Sequence, residues 1–419
     1  MRQRIVTVIV GIACFALGAA IQRFYDVRRP PPAQTAQTAK PAAEPAVAPP
    51  SGLTAVVDFA AIRFEHEPLW AYGFEAPPKP GDKAQPQNPP TRNLRPNEDP
   101  AEQTRPRRVE GSGAAYSLVD VRDGQNVIDW FPGDHPPMPN VVAHGPAAMG
   151  KATRGCGSCH LPNGKGRPEN ASPGGLPEAY FIRQIEDFRH GLRHTADPRK
   201  PNTNTMIELA KAMTDDELKA AAAYFSSMKW TPWIRVVETS LVPKTRIAGN
   251  LFLPTSKEKT EPIAGRIIEM PEDPEQTETL RNPHVGFVAY VPVGSIKKGK
   301  DLVTTGGMTI VGNTIVQGKT TACGTCHGIN LMGVADVPPI AGRSPSYMVR
   351  QMWDMQQGAR NGPQAQLMKL VVANLTEDDM VAIAAYVASR PVVSGGTAPA
   401  AAVMSRAAEG RAVETVTRR

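Results

Sequence analysis

Apolar residues recur at three- and four-residue steps in two parts of the chain, 178–190 and 345–357. This spacing places them on one face of a helix, so an amphipathic α-helix is predicted in each part. The stretch 295–303 shows a similar pattern and is predicted to open the second helical region. These parts of the chain therefore predict helical domains, with polar faces toward solvent.

Two further helices are predicted from their starts. Thr214 and Thr376 are each followed, three positions later, by an acidic residue, which gives one capping box and one looser version of it. Each Thr opens an Ala-rich amphipathic run, and the two runs end near Met228 and Ser389. A helix is therefore predicted after each of these threonines.

The segment between the helical parts has a different pattern. β-Branched and aromatic residues alternate or cluster there, which favours strands over helix. The clusters lie at 233–237, 246–253, 265–270 and 286–293. A small sheet is therefore predicted within 231–294.

The N-terminus carries the most apolar run of the chain, Ile5–Ile21, with Arg2 and Arg4 before it and charged residues after it. This arrangement is typical of a targeting segment, so residues 1–29 are predicted to direct the protein out of the cytoplasm. Cleavage as a signal peptide and retention as a membrane anchor both stay open, because 17 apolar residues lie at the lower limit for a span. The Pro/Ala-rich stretch 30–52 then reads as a flexible linker.

Composition excludes two classes of protein. The chain has 419 residues with 42 Pro and only 6% aromatics, which suits two or three compact domains with irregular connections. No run beyond the N-terminus reaches the length of a membrane span, which excludes a multi-span membrane protein. Of the net charge of +7, +4 lies in the first 29 residues, and no basic stripe is interleaved with aromatics. Nucleic acid is therefore not a predicted partner.

Four of the five cysteines form two C-x-x-C-H motifs, at 156–160 and 323–327. This is the attachment sequence of c-type haem, in which two thiols bond to the porphyrin and the adjacent His reaches the iron. Two covalently bound haem c groups are therefore predicted. The predicted attachment residues are Cys156, Cys159, Cys323 and Cys326, and the predicted iron ligands beside them are His160 and His327.

Two alternatives for the cysteines are disulfides and zinc sites. Neither explains why His follows the second Cys in both motifs. A structural zinc site would also need a fourth ligand at short spacing, which neither segment supplies.

A shift of 167 residues superimposes more than the two motifs. Residues 180–184 fall on 347–351, and Gly191 falls on Gly358. The chain therefore contains two copies of one unit. Each unit is predicted to consist of a haem-binding turn, a loop, a helix, a second loop that carries a Met, and a terminal helix.

Beyond the shared glycine the shift becomes 162, and Met206 then matches Met368. Each stands eight residues before the capping Thr, and this is the one Met position that the two loops share. Both are therefore predicted as second axial ligands of the iron. The alternative is that they fill the core, as is predicted for Met213, which matches Leu375, and for Met352 and Met355.

A second imidazole is the other alternative for the sixth iron position. His190 and His194 could supply it in the first unit. Their counterparts in the second unit are Gln357 and Asn361, which disfavours this arrangement.

These residues resemble the class I cytochrome c family, in particular its dihaem members built from two fused units. The resemblance rests on the two C-x-x-C-H motifs, the 338–342 turn, Tyr347, Met368 and the helix start at 376–380, and it covers 146–230 and 295–391. It implies His160 and His327 as proximal ligands, Met206 and Met368 as distal ligands, and a backbone contact near the Pro turn that orients each imidazole. The first unit departs from the family pattern at Ser172–Gly175, which replaces Pro339–Gly342.

The predicted fold is therefore mostly α, with two class I cytochrome c-type helical domains in tandem, a Pro-rich N-terminal extension and a small β-rich segment between the domains. Residues 53–145 are expected to wrap a haem unit in extended form, although a disordered extension stays open. The predicted divisions are 1–29, 30–52, 53–145, 146–230, 231–294, 295–391 and a disordered tail at 392–419.

A haem with His on one face and Met on the other has no open position, so it changes oxidation state and does not bind substrate. The sequence thus predicts a periplasmic electron carrier between a dehydrogenase and a respiratory acceptor, soluble or tethered to the inner membrane by residues 5–21. Two alternatives stay open: a dihaem enzyme, either a peroxidase or a thiol or thiosulfate dehydrogenase, and a cytochrome subunit of a dehydrogenase complex.

Overall fold

The computed structural model describes residues 98–197, 200–248, 250–255 and 260–392. The predicted targeting segment, the linker and nearly all of the predicted tail lie outside these residues. None of the described helices is both long and apolar enough to cross a membrane. The helices are α1 (Pro100–Thr104), α2 (Leu118–Val121), α3 (Asn140–His144), α4 (Gly157–His160), α5 (Glu178–Arg189), α6 (Pro201–Ala212), α7 (Asp215–Ser226), α8 (Ser295–Thr305), α9 (Gly324–His327), α10 (Pro345–Gln356), α11 (Ala365–Val372) and α12 (Glu377–Ala388).

The predicted helices are present. α5 and α10 occupy the two amphipathic stretches, and α8 opens the second helical region. α7 and α12 begin directly after complete capping boxes: the Thr214 hydroxyl accepts from the Glu217 N–H at 3.2 Å, and the Glu217 carboxylate accepts from the Thr214 N–H at 2.8 Å. Thr376 and its acidic partner make the same pair of bonds. Such caps each stabilise a helix by about 1 kcal/mol.

The predicted second loop of each unit is wrong, because Met206 and Met368 lie in helices, α6 and α11. Neither helix has a side-chain cap hydrogen bond at its N-terminus, and the one start signal in the sequence is Pro201, the first residue of α6. Packing of an apolar face, and not local capping, stabilises these two helices.

Each unit has its own apolar core. In the first, Phe225 and Leu218 of α7 pack with Ile185 and Phe188 of α5. In the second, α12 is buried along nearly its whole length and packs against α8. Gly299 permits that close approach, because a Cβ there would lie 1.9 Å from the Ala382 carbonyl oxygen.

The connecting segment forms three small sheets where one was predicted. A three-stranded sheet has the order β1–β7–β6, with β1 parallel and β6 antiparallel to β7, and two further ladders join β2 to β5 and β3 to β4. Four of these strands end in Pro, which cannot donate to a ladder, so the ladders stay short. The strands are β1 (Ile234–Glu238), β2 (Leu241–Pro243), β3 (Thr245–Ala248), β4 (Leu251–Pro254), β5 (Thr260–Pro262), β6 (Ile268–Pro271), β7 (Phe287–Val291) and, within the second unit, the unpredicted hairpin β8 (Thr309–Val311) and β9 (Thr314–Val316).

Residues 98–145 contain the short helices α1 to α3 and so are not extended throughout. Their apolar side chains form a small core around Trp130, which is 2% exposed. The Trp130 indole N–H donates to the Leu280 carbonyl at 2.7 Å, and this bond ties the region to the connecting segment.

Candidate haem-attachment sites

The two C-x-x-C-H motifs form matching single-turn helices, α4 and α9. In each, the His N–H donates to the carbonyl of the first Cys at 2.9 Å, from His160 to Cys156 and from His327 to Cys323. Residues three apart on such a turn lie on the same face, so each turn presents its two thiols together. The four thiols are free and form no disulfide.

Each motif histidine is held by an equivalent hydrogen bond to a backbone carbonyl. His160 Nδ1 lies 2.8 Å from the Ala171 carbonyl oxygen, and His327 Nδ1 lies 2.8 Å from that of Pro338, in each case eleven residues further along. An Nδ1 that donates leaves Nε2 as the nitrogen with a free lone pair, the one able to bind iron. The departure at Ser172–Gly175 does not disturb this contact, because its acceptor is a backbone carbonyl.

Burial also controls the charge of these rings. It lowers the pKa of both His160 and His327, against the opposing effect of the carbonyl each contacts. Both imidazoles are therefore neutral at pH 7, which is the form that ligates metal.

A glycine shapes the loop that supplies each carbonyl. The Gly166 and Gly333 N–H groups donate to the carbonyls of His160 and His327 at 2.8 Å, and both glycines have positive φ, 65° and 83°. A Cβ on Gly166 would lie 2.4 Å from the Ala171 oxygen, the atom that accepts from His160. The absence of a side chain therefore lets this loop fold closely over the imidazole.

Met206 and Met368 are half-buried, and each packs against the same core as the first cysteine of its unit. Other methionines are fully inside these cores, as predicted: Met213, Met352 and Met355 are 8%, 8% and 6% exposed. Met138 and Met348 are also half-buried against the two cores, so what sets Met206 and Met368 apart is their matching position in the two units.

The two histidines considered as alternative ligands lie at the surface. His190 is exposed, and its Nε2 is 3.2 Å from the Glu186 carboxylate. His194 is also exposed, with Nδ1 3.2 Å from the Thr195 carbonyl oxygen. Neither is sequestered in the core that Met206 contacts.

The residues around the motifs fit an apolar porphyrin. In the second unit Ile329, two residues after the motif His, is 94% exposed, and Leu367 and Leu370, which flank Met368, are 69% and 76% exposed. Exposed apolar side chains therefore stand close in sequence to the motif His327 and to Met368. Paired thiols, a neutral imidazole and a thioether complete the donor types that haem c takes.

A polar cluster joins the two units, and it was missed from the sequence. Arg193 of the first unit donates to Tyr347 Oη at 3.1 Å and to Gln351 Oε1 at 2.9 Å, both in the second unit. In the opposite direction, Arg360 of the second unit donates to Tyr180 Oη at 3.3 Å and to Gln184 Oε1 at 2.6 Å, both in the first unit. The interface cluster consists of Tyr180, Gln184, Arg193, Tyr347, Gln351 and Arg360.

The interface cluster left a signal in the sequence. Arg193 and Arg360 are related by the same 167-residue shift as the haem motifs, as are the tyrosines and glutamines. Polar residues that repeat at matching positions of two units are candidates for a contact between the units. The shift alone could not say that each arginine bonds to the opposite unit.

Comparison with known proteins finds one family twice in the chain. The Cytochrome c family profile matches residues 142–229 and 311–391. Cytochrome c4 of Pseudomonas aeruginosa is 23% identical over 250 residues, which cover 58% of this chain and 89% of that protein. The thiosulfate dehydrogenase electron acceptor of Thiomonas intermedia is 24% identical over 249 residues, or 59% of this chain and 83% of that one.

A smaller relative matches at higher identity. Cytochrome c-554(548) of Halomonas halodenitrificans is 32% identical over 75 residues, which are 18% of this chain and 90% of that protein. The repeated fold, the two attachment turns and these relatives agree. The chain belongs to the cytochrome c family, as an electron-transfer member with two cytochrome c domains in tandem and two covalently bound haem c groups.

Proposed function

We propose that this dihaem cytochrome carries electrons in the periplasm from a dehydrogenase to a respiratory acceptor. Haem c, when bound, supplies a one-electron iron couple. The proposed attachment residues are Cys156 and Cys159 in the first unit and Cys323 and Cys326 in the second. The proposed axial pairs are His160 with Met206 and His327 with Met368.

One observation carries this proposal: the two units repeat the same donor set. The Nδ1 of His160 and that of His327 each lie 2.8 Å from a carbonyl eleven residues on, and a half-buried Met stands at the matching position of each unit. A thioether opposite a neutral imidazole favours ferrous iron, and so a positive reduction potential. An iron with both axial positions taken suits electron transfer. Chemistry on a substrate would need an open or displaceable axial position in at least one unit.

The donor proposed is a dehydrogenase of an inorganic sulfur compound. One relative is named a thiosulfate dehydrogenase electron acceptor, and the match extends over 249 residues, or 59% of the present chain. Oxidation of thiosulfate to a disulfide-linked product releases two electrons, and two haems could take one each. Residues 5–21 are proposed to direct the chain to the periplasm and, if retained, to tether it to the inner membrane.

The test uses oxidised holoprotein in a stopped-flow spectrometer. We expect reduction of both haems when thiosulfate and a thiosulfate dehydrogenase are added together, and none when either is added alone. Turnover of thiosulfate or peroxide by the holoprotein alone would instead establish the enzyme. Stable co-purification with a catalytic protein after expression from the native host would favour a fixed subunit over a free carrier.

A further inference from the structure

The loop that orients the first motif histidine is held by the other unit. This loop, residues 168–174, contains the Ala171 carbonyl that accepts from His160. Arg343 donates through Nη1 to the Ser172 carbonyl and through Nη2 to that of Gly174, at 2.5 and 3.0 Å. Carbonyls on the C-terminal side of Ala171 are thus fixed by an arginine of the second unit.

A second arginine contacts the other end of the same loop. Arg350 Nη2 donates to the Pro168 carbonyl, three residues before Ala171. Arg343 and Arg350 are 5% and 6% exposed, so both bonds are shielded from water. The two arginines therefore clamp the loop on either side of the carbonyl that sets the imidazole.

The contact from the first unit to the second unit's loop is much more exposed. The counterpart of Arg350 in the first unit is Arg183, which reaches Asp336 of the second unit at 3.0 Å, with the two side chains 34% and 59% exposed. The counterpart of Arg343 is Leu176, which has no donor. The clamp thus acts on one haem unit and not equally on both.

Arg343 also brings an uncompensated charge. Its Nε donates to the Pro339 carbonyl at 2.8 Å, and its guanidinium lies 4.1 Å from the centroid of the Trp230 ring. Among the described residues, the groups that act most on this charge are the Tyr347 and Tyr180 side chains, and not a carboxylate. Burial lowers the pKa of Arg343 to about 10, so the group stays charged at pH 7.

We propose that Arg343 is a positioning residue for the first haem, supplied by the second unit. It holds the loop that orients His160, and its buried charge raises the reduction potential of the haem attached at Cys156 and Cys159. The electrostatic part follows because reduction lowers the positive charge at iron by one, and a fixed cation in a medium of low dielectric favours the state with less positive charge. This inference rests on the proposed ligation by His160.

The test is a redox titration of holoprotein that resolves the two haems, with each assigned by the paramagnetically shifted NMR signals of its axial His and Met. Arg343→Leu installs the residue of the first unit. We expect it to lower the potential of the first haem by more than that of the second, because Arg343 donates twice to the loop that orients His160 and once, at Pro339, to the loop that orients His327. Arg343→Lys keeps the charge but loses the two-pronged bond. We expect Arg343→Lys to leave the reduction potential of the first haem close to that of the unmodified protein. The NMR signals of the His160 ring should shift, because the loop that orients it is no longer held at two carbonyls.

Arg183→Gln is the matched control, an arginine that also crosses between the units but at the surface, and we expect neither potential to move. If Arg343→Leu does not fold, Arg343→Gln removes the charge with less loss of volume and bonding, and the same fall is expected. An unchanged first potential, an equal fall in both, or an equal effect of Arg183→Gln would overturn the inference. Lack of a His/Met spectrum in the unmodified holoprotein would overturn the proposed ligation instead, so the two failures are distinguishable.

Discussion

Replacement of Arg193 by Met should destabilise the whole molecule, because this buried side chain bonds the first unit to the second. The Arg193 guanidinium makes three hydrogen bonds, to Gln184 at 2.9 Å, to Gln351 at 2.9 Å and to Tyr347 at 3.1 Å, and is 8% exposed. Met keeps an apolar side chain at this position but removes all three donors and the guanidinium that lies 4.5 Å from the centroid of the Phe188 ring.

The loss in free energy of unfolding depends on which acceptors are left without a hydrogen-bond donor. Hydrogen bonds from a charged donor contribute about 1.5 to 3 kcal/mol each. Gln184 and Gln351 keep bonds from Arg360, at 2.6 and 3.2 Å, so only the Tyr347 hydroxyl loses the bond it makes. The expected fall in the free energy of unfolding is therefore about 2 to 4 kcal/mol, well below the sum of three full bonds.

The assay is guanidinium unfolding of holoprotein, followed by haem absorbance and tryptophan fluorescence. Arg183→Gln is the control, because its exposed ion pair should contribute less than about 1 kcal/mol. A double variant that also carries Arg360→Met should lose more than the sum of the single losses, because Gln184 and Gln351 then lose the arginine that each single variant leaves them. Equal losses for Arg183→Gln and Arg193→Met would refute the reasoning.

Three further outcomes are expected. Gly166→Ala should reduce the haem content of the first unit, measured as haem per protein after expression with attachment machinery, because its Cβ would press on the carbonyl that orients His160; Gly191→Ala, which also has positive φ but open space around it, should keep both haems. Thr214→Ala should cost about 1 kcal/mol in guanidinium unfolding, through loss of the cap of α7. Burial would raise the pKa of Asp379, but hydrogen bonds from two lysines hold it well below its usual range; its contribution to stability should therefore be present above about pH 4 and be lost as pH falls further, and Asp379→Asn should flatten that acid limb of the unfolding curve.

The sequence predicted the parts of this molecule that local chemistry determines. The spacing in C-x-x-C-H requires two thiols and an imidazole on one turn, and the capping threonines start helices whatever surrounds them. The 167-residue repeat then located both units. The prediction that Thr214 begins a helix was confirmed, because its cap depends on a residue only three positions away.

The remainder depends on contacts distant in sequence. The helix around Met206 has no side-chain cap, and Pro201 at its first position is a weak signal by itself. Arg343 stands where the first unit has Leu176, and its bonds to Ser172 and Gly174 span 171 and 169 residues. No pattern within one repeat could predict a contact that one repeat makes with the other.

The central claim, that each iron is closed by His and Met, is tested most directly by the weak sulfur-to-iron band near the red end of the oxidised spectrum. Met206→Ala and Met368→Ala should each abolish the contribution of one haem to this band and lower one of the two potentials. Met138→Ala and Met348→Ala are matched controls, since these half-buried methionines pack against the same two cores, and they should leave the band intact. An unchanged band in Met206→Ala or Met368→Ala, or its loss in a control, would contradict the account.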